Sequence, residues 1–169
     1  IVANPECEYV VGPRFEGANK TDKSDDWRKS GICEGAWSLP SDVTHVSYHQ
    51  LLCRLHHTCA LLCSRSVIER YGGFYTKNCC RYGEDRYLQM QLLFKHKLYR
   101  LVEPLVWYHN ETNGLSAIED GPKPLHPVLA DPEPVRRSCA PCFRPVLEEW
   151  LASHALGYAL DYARLSLSV

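Results

Sequence analysis

RSVIERYGGF, Arg65 to Phe74, and YGEDRYLQMQL, Tyr82 to Leu92, each read as a helix with its boundary marked. Ser66 and Glu69, three residues apart, can satisfy two free amides reciprocally at a helix start, and Gly72-Gly73 supplies left-handed residues to end it. A short helix over Val67 to Tyr71 is expected. From Glu84 to His96, Leu88 and Leu92 recur four residues apart with Tyr87, Met90 and Phe94 alongside, which predicts a helix with one broad apolar face. Its acidic pair stands in the first turn and Lys95, His96 and Lys97 in the last, as the helix dipole favours. Upstream, Cys59, Ala60, Leu61, Leu62 and Cys63 form a continuous apolar run suited to a buried strand. Downstream, Tyr99 to Val102 and Leu105 to Tyr108 read as strands separated by Glu103-Pro104.

Further out, Tyr9, Val10 and Val11 predict a strand stopped by Gly12-Pro13. Residues 16–31 are polar with little apolar periodicity and read as a surface loop, and Val46 to Leu55 fits helix or strand. Seven of the eleven prolines lie between Pro122 and Pro145, a density that points to an extended linker. After Pro145, Leu147, Trp150, Leu151, Ala155, Tyr158, Ala159, Tyr162 and Leu165 recur at helical spacing. The expected organisation is a core unit over 1–118, ending near Ser116, a proline-rich linker over 119–144 and an amphipathic helix over 145–169.

With 19 Lys+Arg against 20 Asp+Glu, the net charge of −1 supplies no field to attract nucleic acid or anionic lipid. The 45% apolar content is enough for a core and excludes global disorder. No run approaches a membrane-spanning length, and Ile1 to Pro5 lack the pattern of a secretory signal. Nine cysteines, an odd number without small-scaffold spacing, read as reduced thiols and hence as a cytoplasmic protein. Met90 is the only methionine, and the chain opening on Ile1 reads as part of a longer one.

In the order RSVIERYGGF, YGEDRYLQMQL and Trp107-Tyr108-His109, the sequence resembles the second half of a GT-A glycosyltransferase, most closely inverting family 2, over roughly a third of the chain. The resemblance implies an α/β fold, a partial GT-A domain lacking its N-terminal nucleotide-binding half. It implies transfer of a sugar from a nucleotide-sugar donor to a hydroxyl on a carbohydrate, lipid-linked or protein acceptor. In that family the second acid of the pair is the general base, which falls on Asp85, with Glu84 binding the acceptor or orienting the site. Gly72 and Gly73 would bring backbone close to substrate, Phe74 and Gly83 would join them in substrate binding, Arg65 would contact a phosphate or cap a strand end, and His109 would ligate Mn, or else Mg, on the diphosphate. The chain departs from the pattern in having no Asp-x-Asp motif, in Tyr87 where an acid is common and in Gln91 where an arginine is common. A sheet missing its first half would leave an open edge and favour self-association.

Two other readings stay open. One keeps the fold without activity, as an inactive or acceptor-binding remnant. The other is a zinc-binding module built from Cys53, His56, His57, Cys59 and Cys63, Cys79-Cys80, or Cys139 and Cys142. Metal analysis of protein purified without added ions separates this last one from the rest. The transferase reading expects no zinc, and one equivalent per chain would favour the module.

Overall fold

The computed structural model describes residues 4–80, 82–109 and 124–166. Along the chain run β1 (Tyr9–Val11), β2 (Phe15–Glu16), β3 (Thr21–Asp22), α1 (Ser24–Lys29), β4 (Gly35–Trp37), α2 (His45–Leu55), β5 (Leu61–Cys63), α3 (Arg65–Arg70) and α4 (Glu84–Lys95). They are followed by β6 (Leu98–Arg100), β7 (Trp107–Tyr108), α5 (Pro127–Ala130), α6 (Glu133–Ser138) and α7 (Arg144–Ser166). The class is mixed α/β. One sheet has the order β4-β6-β1-β5, with β1 parallel to β6 and antiparallel to β5. A smaller sheet, β3-β2-β7, pairs β2 in parallel with β7. Among the described residues no helix is long and apolar enough to cross a membrane.

The core is organised by α4. Every residue from Tyr87 to Phe94 is buried, so the expected single apolar face is in fact a helix enclosed all round. Such a helix must also accommodate its polar members: Gln91 Nε2 donates to the Tyr87 carbonyl at 3.2 Å, and Gln89 Nε2 to Thr58 Oγ1 at 3.2 Å. Phe94 stacks on Tyr48 of α2 at a centroid distance of 4.1 Å. The same cluster continues through Tyr9, Val11 and Leu98 of the larger sheet to Val128, Val135, Leu147 and Trp150.

That cluster corrects the expected linker. Residues 124–144 are not extended: Pro127 opens α5, Pro132 and Pro134 flank the start of α6, and Val128 and Val135 are fully buried. A proline in a first helical turn forfeits only an N–H that had no intrahelical partner, so clustered prolines here start short helices rather than forbidding them. The C-terminal helices therefore share one core with the rest of the chain, while the boundaries at Ser116, 118 and 119 lie outside the described residues. The tail helix is present as α7, but its burial is confined to the first half. Leu147, Trp150 and Leu151 are buried, whereas Leu156, Leu160 and Tyr162 are exposed.

Three local expectations also change. Ser64, not Ser66, caps α3, its hydroxyl accepting from the Val67 amide at 3.3 Å. The apolar run Cys59 to Cys63 divides into a 3-10 turn, Thr58–Ala60, and the edge strand β5, where Leu61 and Cys63 are half-buried and Leu62, on the opposite face, is 65% exposed. Within the expected loop 16–31, α1 forms around a buried Trp27 with an exposed Asp25–Arg28 ion pair at 2.6 Å. Six residues are too few to show a period. Elsewhere β1 and the glycine end of α3 are as expected, with Gly72 and Gly73 at φ of 76° and 73°. The ambiguous segment is the helix α2, capped by Thr44 and Ser47 in a reciprocal box.

At the end of α2, His56 is buried with Nε2 3.1 Å from the Tyr9 hydroxyl, and its Nδ1 has no partner among the described residues. Burial first, then the Arg86 charge, pushes its pKa from 6.5 down to about 3. The unfolded chain therefore takes up this proton first, and stability falls as pH drops below about 6.5 toward 3. His56 alone should cost on the order of 2 kcal/mol between pH 7 and pH 5. Urea unfolding at the two pH values checks this, and coincident midpoints would contradict it.

Candidate functional site

Gly83 stands at the head of α4 in the left-handed conformation, φ 73°, which turns the chain from Tyr82 into the helix. Asp85 follows in the first turn. Its Oδ1 accepts from the Arg86 amide at 2.7 Å and its Oδ2 from the Thr58 hydroxyl. Because Thr58 Oγ1 already accepts from Gln89 Nε2, its own proton is directed at the carboxylate. The Asp85 side chain is thus aimed by two residues of the buried helix and by the turn after α2.

It faces a cleft of about 510 Å3 lined also by Arg14, His57, Cys59, Arg86 and Tyr108. Arg14, on the turn after β1, pairs with Glu16 Oε2 at 3.1 Å and lies over the Tyr108 ring at 5.6 Å. Arg86 Nη1 donates to the Leu52 carbonyl at 2.8 Å. Burial, then the charges of Arg14 and Arg86, pushes His57 down to about 4, so this imidazole is neutral near pH 7. One carboxylate, two guanidiniums and a neutral imidazole can accept a proton from a hydroxyl while holding an anionic group beside it.

The structure brings Asp85 into this cleft and leaves most of the other expected site residues outside it. Arg65 is 91% exposed and pairs with Glu69 at 2.7 Å, four residues along α3. Gly72 and Gly73 close α3 through amides bonded to Glu69 and Ile68, and Phe74 follows with its ring half exposed. Glu84 is half-buried, its carbonyl accepting from the Tyr75 amide at 3.1 Å. His109 is exposed and packs its ring on Trp107 at 4.3 Å. Side chains alternate along a strand, so Tyr108 turns to the cleft while Trp107 and His109 share the other face. Among the described residues no group of three or more His, Cys, Asp or Glu could hold a metal ion, and Cys59, expected in the core, is exposed.

Arg14, Thr58 and Arg86 were not among the residues singled out from the sequence, and His57 was singled out only as a candidate zinc ligand. Arg86 adjoins Asp85 and could have been found by treating the first turn of α4 as a unit. Arg14, Thr58 and His57 converge only through the fold.

No family model, curated protein or solved structure matches this chain.

An added Cβ at Gly83 would stand 2.8 Å from His126 Nε2, whereas at Gly72 it meets nothing within 4 Å. Both glycines have positive φ, so alanine at either position bears a left-handed penalty of roughly 1–2 kcal/mol. Gly83→Ala should therefore lower the unfolding free energy more than Gly72→Ala, because His126 must also move. Equal losses in urea denaturation would show that His126 yields freely.

Proposed function

We propose that this chain carries the base side of a sugar-transfer site of the GT-A type, most like inverting family 2, with Asp85 as the general base. The observation that supports this is the Asp85 carboxylate, aimed by Thr58 into a cleft that also holds Arg14 and Arg86. In this reading an acceptor hydroxyl gives its proton to Asp85 as its oxygen attacks the anomeric carbon of a nucleotide-sugar. The bond from that carbon to the diphosphate breaks, and the leaving diphosphate takes the electron pair. Guanidiniums preorganised near the developing charge stabilise it more than they stabilise the ground state.

The Mn or Mg implied by the resemblance finds no fitting ligand set among the described residues. His109 packs against Trp107 on the face away from Asp85, and no group of three or more His, Cys, Asp or Glu that could hold a metal ion stands among the described residues. The charge on the diphosphate accordingly falls to Arg14 and Arg86 in this reading. The free thiols accord with work in a reducing compartment such as the cytosol.

A second reading rests on the same hydrogen bonds. With both oxygens engaged, Asp85 can serve as an anchor for the start of α4 in a binding domain that performs no transfer. Asp85→Asn separates the two. As a general base, Asp85 should lower the transfer rate by about 10²- to 10⁴-fold when replaced, in the protein that carries this chain, with nucleotide-sugar binding nearly unchanged. Near-normal turnover would overturn the base assignment. A lowered thermal midpoint in a protein with no transfer activity before mutation would favour the anchor.

A further inference from the structure

On the other side of Arg86 lies a second cavity, about 430 Å3, enclosed by α2, the head of α4 and one face of α7. Trp150, His154, Tyr158 and Asp161 recur along that face at helical spacing. Arg86 forms its inner end. The bond to the Leu52 carbonyl holds the guanidinium in place, and no carboxylate pairs with it among the described residues. A half-buried guanidinium with unused N–H groups facing a cavity is a preformed acceptor-binding fork.

Three imidazoles line the same cavity, and their bonds fix their tautomers. His126 Nδ1 accepts from the Val128 amide at 3.2 Å, so the proton of the neutral ring is on Nε2. His49 Nδ1 accepts from Trp150 Nε1 at 3.3 Å, which likewise places its proton on Nε2, 3.6 Å from the Cys53 sulfur. His154 Nδ1 lies 2.8 Å from the Trp150 carbonyl, so this ring donates from Nδ1. His49 Nε2 is directed at the Cys53 sulfur, which leaves the Arg86 guanidinium and the His126 Nε2 proton as further donors among the residues lining the cavity.

Burial lowers the pKa values of His49, His56, His57 and His126, and in each of the four the Arg86 charge lowers it further. Four rings around one guanidinium thus register its positive charge, which is paired with no acid among the described residues. Asp85 acts on His57 and His126 in the opposite sense but ranks below Arg86 in both. Asp161, at the outer end, is 3.8 Å from Arg164. The volume exceeds that of a bare ion, and the half-buried rings of Tyr82 and Tyr158 line its walls.

We propose that this cavity binds a small organic anion, a carboxylate or phosphate ester carried on a flat ring, with its anionic oxygens on Arg86 and His126 and its ring against Tyr82 and Tyr158. The cavity is distinct from the Asp85 cleft, but the two share Arg86, so an anion here and a diphosphate there would draw on the same guanidinium.

Calorimetric titration of phenyl phosphate and of benzoate into the 169-residue chain, with benzyl alcohol as the uncharged control, tests it. At least one anion should bind with one equivalent and at least tenfold more tightly than the alcohol, and the tighter anion names the group. Arg86→Gln should abolish that preference. Ser153→Glu places a carboxylate on the exposed α7 wall of this cavity, away from the Asp85 cleft, and should weaken the anion at least tenfold. If Arg86→Gln fails to fold, Ser153→Glu decides alone. Equal affinity for alcohol and anions, no binding of either anion at millimolar concentration, or an affinity unchanged by Ser153→Glu would overturn the proposal.

Discussion

The enclosure of α4 constrains everything around it. Eight consecutive buried residues leave this helix no solvent face along its length, so the sheet, α2 and the C-terminal helices must each cover part of it. A helix buried on all sides can expose polar chemistry only at its ends. The first turn, Glu84 to Arg86, is where α4 leaves the core, and both cavities meet there. The left-handed Gly83 makes that exit sharp, and the close approach of His126 leaves no room for a larger residue. Removing a core side chain such as Leu92 would cost about 2–5 kcal/mol and loosen the element that aims Asp85.

Electrostatics at this helix start is unevenly balanced. Arg14 has Glu16, and Arg136 has both Glu133 and Glu148, yet among the described residues the Arg86 guanidinium has a single backbone carbonyl. The surrounding histidines cannot relieve it, because burial and the guanidinium itself keep them neutral. An acid-labile fold and a positively charged cavity follow from the same arrangement. Both are consequences of placing one permanent cation among rings that surrender their protons.

Much of the local structure was legible in the residues. Gly72-Gly73 and the acidic head and basic tail of α4 mark helix ends through backbone sterics and dipole, which need no distant partner. Asp85 could be singled out for the same reason. The fate of the proline-rich segment could not, since its prolines fit extended chain and short helix starts equally, and the choice was made by burial of Val128 and Val135. Likewise, Leu61 and Leu62 read as a buried strand until the sheet order places them at an edge.

What the residues alone disclosed was the strand β1, the glycine end of α3, the span of α4 with its acidic head and basic tail, and Asp85 in its first turn. These depend on interactions between residues a few positions apart. Which groups face Asp85 and which face Arg86 was set by packing between distant segments. Arg14, Thr58, His126 and His154 come from segments separated by tens of residues, and no local periodicity encodes their meeting. Tertiary structure also set His109 on the face away from Asp85, because strand alternation acquires a direction only once β7 has paired with β2.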